Sequence, residues 1–230
     1  MSNFCSRKCS DDAINAAPAI FQLSPIDASY KDVEKQFLDQ WKHPTHPGTV
    51  HKIWRVIATR KAHGKFSRYQ LSVERTQNLK DGNSRRRWHG TMRNCRLGDE
   101  DNESTLCDLV IGRRQCAVCS IIQSSFKLTR AGQRFNYGRF GTGIYTTGTS
   151  SKANDYVVER GGSPYRAILL NDVVLGKTKK LRTSNPTLTQ PPAGFDAVVG
   201  EPGRDLNYDE AVVYSNDAIR PLFLVIFSPS

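Results

Sequence analysis

No run of apolar residues in this 230-residue chain is long enough to span a bilayer; FLVIF, ending at Phe227, has only the length of a strand. A membrane partner is therefore not expected. The opening residues, MSNFCSRKCSDD, lack the apolar stretch of a secretory signal, so the expected location is cytoplasmic or nuclear. Without an oxidising compartment the six cysteines are not expected to form a disulfide framework. No segment repeats, and no linker divides the chain. A Rossmann dinucleotide fingerprint is also missing. Gly138, Gly141 and Gly143 follow the order GxxGxG and lead into strand-like Ile144-Tyr145 instead of a helix. Acidic residues are comparatively few, 22 Asp and Glu against 33 Lys and Arg. The resulting charge of +11 favours acidic partners.

What is present suits one domain of generous size, with 38% apolar residues to build its core. Residues 1–24 read as an extended lead-in, broken by Pro18, and 25–230 as a single domain. Tyr30, Val33, Phe37 and Trp41 recur at helical spacing. Asp27 or Ser29 is the expected cap of this helix, and His43-Pro44 its end. A strand is expected over 50–58, then a second helical pattern with Phe66, Tyr69 and Val73, then a turn at Lys80-Asp81-Gly82-Asn83. Arg86 to His89 reads as a short strand, the acidic stretch from Gly98 to Thr105 as an exposed loop, and Ser150 to Val158 as a short helix. Strands then dominate the last third, at 166–175, 195–200, 210–215 and 222–227. Helices first and short strands after argue an α+β fold with mostly antiparallel sheets and flanking helices.

Two features bear on partners. Arg85, Arg86 and Arg87 form one basic cluster, and Lys177, Lys179, Lys180 and Arg182 another. They are read as a solvated basic surface, a nucleic-acid contact or an import signal. Cys116-Ala-Val-Cys119 has the spacing of half a zinc site, to which Cys95 and Cys107 offer two further thiolates. Cys95 and Cys107 are separated by eleven residues instead of the usual two to four, and on spacing alone plain thiols are the preferred reading over structural zinc.

Three dispersed segments carry the chemistry: His89-Gly90-Thr91, then Tyr145 in FGTGIYTTGTSSKANDY, then Glu210 in YDEAVVY. Singly each is a weak motif. In this order they resemble the catalytic core of the poly(ADP-ribose) polymerase-like ADP-ribosyltransferases, from about Tyr30 to the C-terminus. Tyr156, eleven residues after Tyr145, matches the family's two-tyrosine clamp. The resemblance implies NAD+ as substrate and release of nicotinamide. It implies transfer of ADP-ribose, here read as single units, to a protein or nucleic-acid acceptor. It also implies the roles: Glu210, His89 and Tyr145 catalytic, with His89, Gly90, Tyr145 and Tyr156 holding NAD+, and no catalytic metal.

The residue types fit that chemistry. Cleaving nicotinamide from ribose develops positive charge on the sugar, which a carboxylate such as Glu210 stabilises. An aromatic ring offers a flat face for nicotinamide, and His89 can hydrogen-bond a ribose hydroxyl. Gly90 has no Cβ to hold a ligand amide off the main chain. Two departures from the family stand out. Ala153 replaces a Ser that binds the carboxamide in many relatives, and a Cys-containing insert lies between His89 and Tyr145. The alternative reading is a non-enzymatic module binding nucleic acid or protein on a degenerate ADP-ribosyltransferase fold. The oligomeric state is left open.

Overall fold

The computed structural model describes residues 15–101, 103–107, 116–131 and 138–228; Cys5 and Cys9 lie outside them. In chain order the elements are β1 (Ala19–Gln22), α1 (Ala28–Asp39), β2 (Thr49–Ile57), α2 (Arg60–Gln77), β3 (Ser84–Gly90), β4 (Met92–Arg93) and α3 (Ala117–Ser124). They continue with β5 (Ile144–Thr146), α4 (Ser150–Asn154), β6 (Val158–Glu159), β7 (Arg166–Val174), β8 (Thr178–Leu181), β9 (Ala197–Gly200), β10 (Glu210–Val213) and β11 (Ile219–Ser228).

The near-continuous apolar runs of β7 and β11 put these strands inside a five-stranded antiparallel sheet, ordered β1-β2-β11-β7-β3. Successive side chains alternate between its faces. Ile168, Leu170, Val225 and Phe227 join Tyr30, Val33 and Phe37 of α1 on one side. Leu169, Leu224 and Ile226 meet α3 and the second sheet on the other. That second sheet runs β5-β10-β9-β8, antiparallel except for the parallel pair β8–β9, and β4 and β6 form a small parallel ribbon. The fold is α+β with mainly antiparallel strands, as the element pattern implies. No helix among the described residues is long and apolar enough to cross a membrane.

Several local expectations are corrected. Trp41 lies beyond α1, its ring 5.5 Å from that of Phe37. Asp27 occupies the N-cap position, but its carboxylate accepts from the Ser24 amide (2.9 Å), and the Ser29 hydroxyl accepts from Arg55 (3.0 Å). Neither side chain caps the helix. The acidic segment from Gly98 is a loop, yet it begins in the interior. Asp99 is 3% exposed and pairs with Arg93, and the Gly98 carbonyl accepts from the Trp54 indole at 3.1 Å. Its acidity is matched by a buried cation instead of by water. β1 falls in the segment read as a lead-in and forms the sheet's outer strand against β2. The basic clusters are largely engaged: Arg86 with Asp32, Arg87 with Asp209, and Lys180 and Arg182 with Glu201.

Candidate active site

Among the described residues, one isolated backbone bridge joins the two sheets. Trp88 and Thr147 exchange backbone hydrogen bonds of 2.8 and 3.0 Å, so the end of β3 lies against the end of β5. This brings His89 beside Tyr145, whose carbonyl accepts from Nδ1 at 2.9 Å. A carbonyl can only accept, so Nδ1 carries the hydrogen, and in the neutral ring Nε2 is the acceptor. The edge of the Phe126 ring packs on the imidazole with centroids 5.0 Å apart.

Gly90 follows, and the structure supplies a stronger reason for it than ligand access. A Cβ there would stand 1.8 Å from the Ala153 carbonyl oxygen and 3.2 Å from Tyr156 Cβ. Only glycine lets α4 lie this close to β3.

Tyr145 is held by both ends. Its hydroxyl donates to the Gly141 carbonyl and accepts from the Phe140 amide, each at 2.8 Å, closing the glycine-rich loop around the phenol. Gly141 takes a positive φ of 71° there, and a Cβ on it would strike the Leu188 carbonyl at 1.7 Å. Burial pushes the Tyr145 phenol well above its usual range, against the pull of the Phe140 amide, and the Glu210 charge adds to the rise. Burial and Glu210 push Tyr156 up in the same direction. Both rings are neutral across the physiological range.

Glu210 opens β10, paired opposite Gly200. It is 6% exposed. One oxygen, Oε1, accepts from Lys152 Nζ at 2.7 Å; the other, Oε2, is buried with no hydrogen-bond partner. Lys152 reaches it from α4 and is further satisfied by the Tyr208 and Asp209 carbonyls at 3.3 and 3.4 Å. The neighbouring Asp209 is a useful contrast. Its carboxylate accepts from Arg87, from the Thr147 and Thr149 hydroxyls and from the Gly148 amide. Asp209 is a fully engaged structural clamp; Glu210 keeps an unused oxygen.

Glu210, Lys152 and Tyr156 line one recess of about 230 Å³, together with Arg139, Asp155 and residues 206–208. A second recess, about 250 Å³, lies between α2 and residues 124–129 and contains none of the candidate residues. Of the residues singled out in the sequence, Tyr156 and Glu210 line this recess, whereas His89, Gly90 and Tyr145 do not: His89 is bonded to Tyr145 at the β3–β5 junction, and Gly90 lies against Ala153 and Tyr156. Lys152 is the residue that sequence reasoning passed over. The available signal was its place in SSKANDY, four residues before Tyr156; the helix expected over 150–158 ends at Asn154, and the turn beyond it carries Tyr156 to the same recess.

Comparison with known proteins places the chain in a family. A family model described as the poly(ADP-ribose) polymerase catalytic domain matches residues 27–226. Protein mono-ADP-ribosyltransferase PARP3 of Homo sapiens is 27% identical over 183 residues, which cover 77% of this chain and 27% of that protein. The same-named protein of Mus musculus is 25% identical over 195 residues, 81% of this chain and 30% of that protein. Protein mono-ADP-ribosyltransferase PARP4 of Homo sapiens is 32% identical over 104 residues, 43% of this chain and 6% of that protein. The chain thus spans less than a third of the length of these relatives. With the family model matched along nearly its whole length, the chain belongs to the poly(ADP-ribose) polymerase catalytic domain family.

Proposed function

We propose that this chain is an NAD+-dependent ADP-ribosyltransferase that moves single ADP-ribose units to a protein or nucleic-acid acceptor. The observation that carries this reading is the Glu210 carboxylate, buried at the recess with Oε2 lacking a partner. A bare buried carboxylate oxygen is costly unless something supplies a hydrogen or a positive charge to it. A ribose hydroxyl supplies the first in the bound substrate. The sugar carbon supplies the second as its bond to nicotinamide breaks and the electron pair leaves with the pyridine nitrogen. The acceptor nucleophile then bonds to that carbon and gives up its proton. Water at the same position yields plain hydrolysis.

The other residues take positioning roles. Lys152 offsets the Glu210 charge in a region poor in water. Tyr145 and Tyr156 enclose the nicotinamide ring, Gly90 presents its main chain to the carboxamide, and the Nε2 of His89 accepts from the adenosine ribose. Ala153 offers no hydroxyl to the carboxamide, which leaves that contact to Gly90. Relatives named mono-ADP-ribosyltransferases favour single-unit transfer, and the charge of +11 favours an acidic acceptor.

The deciding experiment is incubation with labelled NAD+, with and without candidate acceptors. The expected result is nicotinamide release and a single-unit mass increase on the acceptor. A ladder of long products would overturn single-unit transfer; no release under any condition would favour the non-enzymatic binding module.

The clamp has its own test. Tyr145→Ala and Tyr156→Ala are each expected to weaken NAD+ by about 1–3 kcal/mol, through lost stacking and packing. Tyr145→Phe keeps the ring but strands the Phe140 amide, while the Gly141 carbonyl keeps the Gly143 amide at 3.1 Å. It should therefore lower stability by about 1–3 kcal/mol while leaving affinity close to wild type. Calorimetric affinities unchanged in both alanine variants would rule the clamp out.

A further inference from the structure

We propose that Cys95, Cys107, Cys116 and Cys119 bind one zinc ion through four thiolates, forming a structural site that pins α3 to the body of the fold. Their sulfurs all lie within 4.8 Å of one another. Cys95 Sγ is 3.7 Å from Cys116 Sγ and 3.6 Å from Cys119 Sγ. Zinc–sulfur bonds of about 2.3 Å in tetrahedral array require a sulfur–sulfur edge of about 3.8 Å, close to these separations. A disulfide needs about 2.05 Å, far shorter.

Three stretches of chain converge on this point. Cys95 lies two residues past β4, and Cys107 comes from the separate 103–107 stretch. Cys116 sits at the N-cap of α3, with Cys119 three residues on, so both project from one face of the first turn. Plain thiols have no reason to gather four deep from separated segments. The backbone amide of Asn94 donates to Cys116 Sγ at 3.4 Å, the kind of outer contact that stabilises a metal-bound thiolate. Leu97, Leu106, Val118 and Ile122 supply an apolar wall.

Four thiolates fill the coordination shell and leave no position for substrate or water, so the ion is structural. Its mechanical consequence is local. α3 has 8 residues, too short to hold itself together in isolation. Two residues past its end is Phe126, the ring that backs His89. Tying both ends of the insert to one ion fixes that ring. The metal site stands independently of the transferase reading, and so does its test.

That test uses the full chain, purified without added metal or chelator. Elemental analysis is expected to find about one zinc per chain, falling to less than about a tenth in Cys95→Ser and Cys107→Ser. Cobalt(II) exchanged into the wild-type protein should give the visible absorption of a tetrahedral thiolate centre. Chelation should lower the melting temperature, and zinc should restore it. Less than about a tenth of a zinc per chain in a stable wild-type sample would overturn the proposal. So would iron in place of zinc, or full zinc retention in both serine variants. Should those variants fail to fold, the wild-type metal content and the cobalt spectrum still decide.

Discussion

Glu210→Gln is expected to fold as wild type does, bind NAD+ within a few-fold, and turn it over at least about a hundredfold more slowly. The substitution keeps the shape and changes one property, the negative charge. Oε2 carries that charge without any protein donor against it, so it is available to the positive charge that appears on the sugar in the transition state. Removing it costs about 3 kcal/mol of barrier, whereas the ground-state contact to a hydroxyl survives in part through the amide. Folding is protected because Lys152 still has the Tyr208 and Asp209 carbonyls and the amide oxygen of the new side chain. The measurement is single-turnover nicotinamide release beside calorimetric NAD+ affinity. Full activity in this variant would remove Glu210 from the chemistry.

The adjacent acid shows why environment, and not residue type, makes that assignment. Asp209 and Glu210 are neighbours in sequence and point to different surroundings, as alternate residues of an extended chain do. Asp209 holds the 147–149 turn and Arg87, so the β3–β5 junction depends on it. Glu210 meets one ammonium and a recess.

Much of this architecture was legible from pattern. Tyr30, Val33 and Phe37 recur at helical spacing because one side of α1 is buried, and all three reach the core. The runs around Ile168 and Val225 read as strands because both faces of β7 and β11 are covered. His89, Tyr145, Tyr156 and Glu210 stood out by order and spacing, and the β3–β5 junction is what draws the first two together. The rest depends on contacts between distant positions, which no local window contains. Asp99 looks like surface acid because what covers its segment, Trp54 on the Gly98 carbonyl and Lys52 on its own, comes from a strand more than forty residues earlier. Lys152 looks like a helix-surface lysine until β10 places Glu210 beside it. Cys95 and Cys107 fail the spacing rule for a short zinc knuckle because they reach the cluster from different segments, Cys95 from just past β4 and Cys107 from the 103–107 stretch. In the sequence Gly90 suggests room for a ligand; the helix carbonyl at Ala153 already demands the same absence of Cβ.

Arg93→Met is expected to destabilise the fold by about 3–5 kcal/mol, a large share of a domain's stability. Arg93 is fully buried and uses all five of its guanidinium hydrogens. They go to Glu159 Oε2 (2.7 Å), the Leu97 carbonyl (2.7 Å), Asp99 Oδ1 (2.6 Å), Ser163 Oγ (2.8 Å) and the Tyr165 carbonyl (3.0 Å). The 97–99 turn and the 159–165 segment are thereby fixed to β4, just ahead of Cys95. Methionine fills most of the volume but leaves two carboxylates buried without a cation. Burial already holds the Glu159 carboxyl above its ordinary value of 4.5, with Arg93 pulling it back down. Without Arg93 the rise is larger. A carboxyl whose folded-state value is raised adds stability below its unfolded value and loses it as pH climbs through the folded one. The deficit of Arg93→Met should therefore be smallest near pH 4.5 and grow toward neutrality. Adding Asp99→Asn and Glu159→Gln, which delete both charges while keeping acceptor oxygens, should recover much of the loss and flatten that pH dependence. Urea unfolding of the three proteins across this range is the check. A deficit under about 1 kcal/mol, or one insensitive to pH, would mean that water or a rearranged turn neutralises these acids without Arg93.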